Sequence, residues 1–194
     1  MANSKKNQTL LVLTSVLSNK SKVLGLDLSL TGTGWCLNDK EALSMGLIET
    51  DKMEGLPRID FILQEIRHKF TIAPVDTTKT TLVILEDFSF ASKGSSLFQI
   101  AGLGYIVRHW LWKNNIDFIL VPPTILKMFV TGAGNSDKSV LLKEIYKRWG
   151  ADINDDNIGD AYGLSRIGRA LLEWDTELVG FQKDALKQLN KESG

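Results

Sequence analysis

Two stretches of this chain are apolar at nearly every position and carry a single acid. Val23 to Leu28 (VLGLDL) is apolar on both alternating faces except at Asp27, and Thr81 to Glu86 (TLVILE) stays apolar until it ends on Glu86. Short runs of this kind predict strands buried at the centre of a sheet. A carboxylate in such a place is costly unless something pairs with it or coordinates it. The first strand is predicted over Val23 to Ser29. The small and turn-forming residues Ser29, Thr31, Gly32, Thr33 and Gly34 follow, and apolar character resumes at Trp35. A second strand is predicted at about Gly34 to Leu37, a turn at Asn38 and Asp39, and a third strand at about Ala42 to Glu49. Three strands joined by short turns suggest an antiparallel meander.

The spacing then changes. Pro57 suits the first turn of a helix, and Ile59, Ile62, Leu63, Ile66 and Phe70 form one apolar stripe at helical spacing. The loop after strand four, residues 87–96, holds Phe88, Phe90 and Lys93. A long helix, about Ser96 to Asn114, has two apolar stripes. Leu97, Ile100, Ala101, Gly104, Val107 and Leu111 make the first, and Phe98, Tyr105, His109 and Trp112 the second. A helix apolar nearly all round is buried on more than one side, and a partner subunit is one way to cover the second.

Asp117 to Val121 is a fifth strand. Pro122 and Pro123 start a brief helix that carries Lys127. The Gly-rich loop Thr131 to Lys138 (TGAGNSDK) leads into a helix ending near Trp149, with Ser136 the expected cap. The acidic loop Ala151 to Asp160 enters a last core helix at about Ile158 to Glu173. The expected organisation is an N-terminal extension over 1–21, one domain over 22–173, and a helical tail over 174–194. The order β-β-β-α-β-α-β-α describes an α/β domain with a mixed five-stranded sheet flanked by helices, the ribonuclease H-like order.

Composition narrows the picture only a little. At 194 residues, 43% apolar and 24% charged, the chain suits one soluble globular domain. Lys plus Arg and Asp plus Glu both number 23, so any nucleic-acid binding must use a local face rather than bulk charge. The single cysteine, Cys36, excludes an intrachain disulfide and fits a reducing, cytoplasmic setting. The apolar part of the start is short for a signal peptide, and no apolar run reaches membrane-spanning length.

The candidate chemistry lies in the acids. Asp27 and Glu86 sit at strand ends, where active residues of such sheets collect. Asn157 and Asp160, three apart, share a helix face and are expected on its first turn. Together the four can form an oxygen-rich cluster without His or Cys, which suits Mg²⁺ or Mn²⁺. Two such ions about 3.5–4 Å apart would clamp both oxygens of a phosphodiester displacement. Blander roles exist for each residue. Asp27 can cap its turn, Glu86 can be a solvated strand end, and Asp155, Asp156, Asn157 and Asp160 can be a solvated helix entrance. Jointly those roles leave two buried strands with an acid at the end of each and no reason for either.

With these residues the chain resembles RuvC-type Holliday junction resolvases, from about Val23 to Leu172. GLDLSLTGTGW is similar to the family's first motif and VILEDFSF to its second. Lys127 and Lys138 in PTILKMFVTGAGNSDK match its two lysines, and Asp160-Ala161 in DNIGDAYGLS its final pair. The resemblance implies a Mg²⁺-dependent endonuclease that acts on branched DNA as a homodimer, with four-way junctions, flaps or Y-forks as substrates. Asp27, Glu86, Asn157 and Asp160 would hold two metal ions. Lys127 and Lys138 would meet phosphates or transition-state charge, and Phe88 and Phe90, with Lys93 nearby, would meet DNA at the branch point. Two departures stand out. Asn157 occupies a position where many members carry an acid, and no histidine follows Asp160. An actin-like or sugar-kinase-like phosphotransferase shares the sheet order but normally needs a second domain. A non-catalytic junction binder is the third alternative.

Overall fold

The computed structural model describes residues 19–70, 80–87 and 96–192. Five strands, β1 (Lys22–Asp27), β2 (Gly32–Asp39), β3 (Leu43–Glu49), β4 (Thr81–Glu86) and β5 (Asp117–Val121), form one sheet in the order β3-β2-β1-β4-β5. β1, β2 and β3 pair antiparallel, and β4 lies parallel to both β1 and β5. Six helices follow from the described residues: α1 (Gly55–Phe70), α2 (Ser96–Lys113), α3 (Pro123–Thr131), α4 (Lys138–Trp149), α5 (Asp156–Leu171) and α6 (Gly180–Glu192). This is the expected ribonuclease H-like arrangement.

Strand alternation divides the core in two. Leu24, Leu26, Val83 and Leu85 face α1 and α2. Val23, Leu82 and Ile84 face α3, α4, α5 and α6. By the same alternation, Asp27 and Glu86 point to the α5 side. The stripe foreseen on α1 is the one that is buried: Ile59, Ile62, Leu63, Ile66 and Phe70. The two stripes of α2 have different fates. Val107 and Leu111 of the first are buried in the core, joined by Leu103, which lay in neither stripe, whereas Phe98, Tyr105 and Trp112 of the second are 80%, 68% and 71% exposed. No helix among the described residues is long and apolar enough to cross a membrane.

Several boundaries move, each for a local reason. Asn38 and Asp39 belong to β2, paired with Val23 and Lys22, and not to the turn. The Asp39 carboxylate accepts from the N–H groups of Glu41 and Ala42, so the hairpin turns two residues later, at Lys40 and Glu41. Those bonds hold its pKa below the usual carboxylate value. α1 begins at Gly55 rather than Pro57. Asp137, not Ser136, stands at the N-cap of α4. The Ser136 hydroxyl is taken by Thr131 Oγ1 and the Ala133 carbonyl. α5 starts at Asp156, two residues early, because the Asp155 side chain accepts from the N–H groups of Asn157 and Ile158. Before β1, Lys20 is buried and pairs with Asp117 at 2.5 Å, which anchors part of the expected extension at the start of β5.

Candidate active site

The register of the parallel pair places the two strand-end acids side by side. Leu26 lies opposite Leu85, so the next step puts Asp27 beside Glu86. Their carboxyls share a hydrogen bond. Asp27 is only 8% exposed. The third acid, Asp160, comes from α5, which crosses the same face of the sheet.

α5 reaches the sheet because glycines let it. A Cβ on Gly25 of β1 would collide with the Ala161 carbonyl and lie 2.7 Å from the Ser165 nitrogen. A Cβ on Gly34 of β2 would collide with the Asn157 carbonyl. Glycine in a strand often marks such close backbone approach. Here it sets Asp160, one residue before Ala161, against the end of β1. The turn after Asp27 is tied down as well. Thr33 Oγ1 donates to the Ser29 carbonyl at 2.7 Å, and Asn157 Nδ2 donates to the Gly32 carbonyl at 2.8 Å.

The electrostatics follow from this crowding. Burial raises the Asp27 pKa. Burial and then the neighbouring Asp27 push Glu86 up to about 9. Burial and then Asp27 push Asp160 up to about 7. The shared hydrogen bond lowers Asp27 and raises Glu86, so Glu86 carries the proton between them. Lys138 opposes all three shifts, and Lys127 opposes that of Asp160. A cation is therefore welcome where the three carboxyls meet.

The donor chemistry fits a hard divalent cation, since every candidate ligand is an oxygen. Among the described residues, no three Asp, Glu, His or Cys side chains close tightly enough to form a finished metal cage. Like charges do not draw together unaided, and the Asp27–Glu86 pair is held by its proton.

The structure thus brings together Asp27, Glu86, Asp160 and Lys138, with Lys127 within reach of Asp160. Asn157 has its amide nitrogen committed to the Gly32 carbonyl. Its place is the second residue of α5, and Asp160 is the fifth, past the first turn where both were expected. Asp156 lies inside the helix and pairs with Lys138 at 3.5 Å. Phe88, Phe90 and Lys93 lie outside the described residues. Sequence reasoning missed Asp155 as the α5 cap, although an Asx residue before a helix is a standing signal. It also missed the docking role of Gly25 and Gly34, for which an isolated glycine in a strand was the available sign. The Asp87–Arg108 ion pair, 2.7 Å, fastens α2 beside Glu86 and had no sequence signal.

No family model matches the chain. The crossover junction endodeoxyribonuclease RuvC of Brachyspira hyodysenteriae is 27% identical over 124 residues, 62% of this chain and 72% of that protein. Among solved structures, Thermus thermophilus RuvC superposes with a TM-score of 0.57 at 17% identity, over 81% of this chain and 98% of that one. T. thermophilus RuvC in complex with a Holliday junction substrate gives 0.59 at 16% identity, over 85% of this chain and 97% of that one.

Proposed function

We propose that this chain is a RuvC-type endonuclease: a metal-dependent, structure-selective enzyme that cuts phosphodiester bonds in branched DNA and so resolves Holliday junctions. The observation that carries this reading is the meeting of Asp27, Glu86 and Asp160 at one end of the sheet, under the field of Lys138. The likeness to RuvC proteins in sequence and in fold supports the same reading.

Two Mg²⁺ ions, with Mn²⁺ as a substitute, suit the oxygen set. Asp27, Glu86 and Asp160 would hold them, and Asn157 Oδ1 would complete the set while its Nδ2 stays on Gly32. Such ions supply charge stabilisation for an in-line phosphodiester displacement. The protein's own groups do the rest. Lys138, at the start of α4, balances the negative charge of the bound phosphate, and Lys127 steadies the strand beside Asp160. The nucleophile of this hydrolysis would be a water reaching the phosphorus beside the carboxyls, and the displaced oxygen would leave as the hydroxyl end of the nicked strand. Phe88, Phe90 and Lys93, next in sequence after Glu86, meet the bases and backbone at the branch. The enzyme works as a cytoplasmic homodimer, paired through the aromatic stripe of α2.

The test is cleavage of a synthetic four-way junction in Mg²⁺. Asp27→Asn and Glu86→Gln should each abolish cutting while junction binding survives, because the phosphate-facing lysines remain. Cutting at near wild-type rate by either variant overturns the assignment.

A further inference from the structure

The two site lysines sit on different helices joined by one loop. Lys127 is on α3, Lys138 is the first residue of α4, and residues 132–137 link them. Lys127 is placed by the packing of α3, whose Ile125, Leu126, Phe129 and Val130 are buried, so where the loop sits decides where Lys138 sits relative to it. On its inner side the loop is tied to itself. Thr131 Oγ1 donates to the Lys127 carbonyl at 2.8 Å and meets Ser136 Oγ at 2.6 Å. Gly132 takes a left-handed conformation, φ 89°, and its N–H closes α3 onto the Met128 carbonyl.

The outer side is covered by a helix outside the stretch that resembles the nuclease family. α6 lies against α3, with Ala185 and Leu189 fully or almost fully buried in the common core. Its second residue, Phe181, lays its ring on Gly132, with ring atoms 3.5–3.8 Å from the place a Cβ would take. The Arg148 guanidinium of α4 stacks on that ring, 4.7 Å from its centroid. Arg148 Nε also donates to the Val130 carbonyl at 2.9 Å. That carbonyl belongs to the last turn of α3, where helix carbonyls lack an intrahelical partner. A second arm, Arg148 NH2, donates to Glu144 at 3.0 Å. One arginine thus joins α4, the end of α3 and the ring from α6.

We propose that α6 is a positioning element of the active site: Phe181, pressed on Gly132 beneath Arg148, fixes the loop that sets Lys138, and with it the gap between the two lysines, against the carboxylates. The inference rests on the nuclease reading and adds to it a part that touches neither metal nor DNA. The plain alternative is that α6 only completes an apolar core. That alternative lowers stability on truncation and leaves the loop and the chemistry alone.

Leu189→Ala separates the two, because Leu189 is in the same core but away from the loop. The full chain is compared with Phe181→Ala, Phe181→Tyr and Leu189→Ala, by melting, by amide hydrogen exchange over residues 131–138, and by junction cleavage below the melting range. Phe181→Ala should speed exchange in the loop and lower kcat on the order of tenfold. Phe181→Tyr, which keeps the ring, should restore both. Leu189→Ala should lower the Tm while leaving loop exchange and kcat near wild type. Equal loop exchange and equal kcat in Phe181→Ala and Leu189→Ala would overturn the proposal. A wild-type chain that fails to cut junctions would sink the nuclease reading instead. Loop exchange would then judge the brace by itself: faster in Phe181→Ala than in Leu189→Ala supports it, equal rates refute it.

Discussion

Glu86 is a carboxylic acid that the fold keeps protonated. Its pKa rises from 4.5 to about 9, through burial first and Asp27 second. An acid raised on folding adds stability that is fully present below its unfolded pKa and lost as pH rises through its folded one. The window for Glu86 therefore runs from about 4.5 to about 9. In the metal-free protein, stability should fall across that range. Glu86→Gln, which keeps a donor facing Asp27, should flatten the fall and melt above wild type at pH 9. Thermal melts at pH 5, 7 and 9 check this, and an unchanged slope would refute it. Asn157 makes a different case. Its amide donates to Gly32, a bond no carboxylate can make. Asn157→Ala should raise the Mg²⁺ needed for half-maximal cleavage. Asn157→Asp should lower it and yet lose about 1 kcal/mol of stability, because the Gly32 carbonyl then faces an anion. A Mg²⁺ titration alongside urea denaturation reads both effects. These residues also mark what a sequence can disclose. The two acids were legible because each interrupts an apolar run. The Asn157–Gly32 bond was not, because its partners come from distant parts of the chain.

At the scale of elements, α5 is the piece that makes the site. Its approach depends on Gly25, where a methyl would meet the backbone of Ala161 and Ser165. Backbone cannot rotate away as a side chain can. Gly25→Ala should therefore cost about 3 kcal/mol by urea denaturation, and junction cleavage should fall with it as Asp160 is displaced. A loss within about 0.5 kcal/mol, the range of an ordinary surface change, would show the contact to be slack. Element identities were readable wherever hydrophobic period was strong. α1 buries the five residues its spacing marked, and β4 ends on Glu86 as the run suggested. The ends of elements were less readable, since capping decides them. Asp39 extends β2 by taking two N–H groups past its end, and Asp155 starts α5 early in the same way. Ser136 looked like a cap, but its hydroxyl is consumed inside the loop.

At the scale of the whole molecule, the exposed stripe of α2 is the outstanding surface. Phe98, Tyr105 and Trp112 recur every seventh residue on one side of the helix, more than two-thirds exposed each. A large apolar stripe of this kind marks an interaction site. Two copies joined there would present two sites related by a two-fold axis to symmetry-related strands. Sedimentation at micromolar concentration should give a dimer, and Tyr105→Lys should shift it to monomer. A wild-type monomer, with and without DNA, would count against the pairing. The layout of the sheet carries one more consequence. Asp27 and Glu86 lie on strands paired parallel across an intervening hairpin and helix, and Asp160 arrives from a helix much later in the chain. Such distant pairings close slowly, after local helices and hairpins have formed. The carboxylate cluster is thus assembled late in folding, and on the nuclease reading a nascent or half-folded chain would lack the centre that cuts.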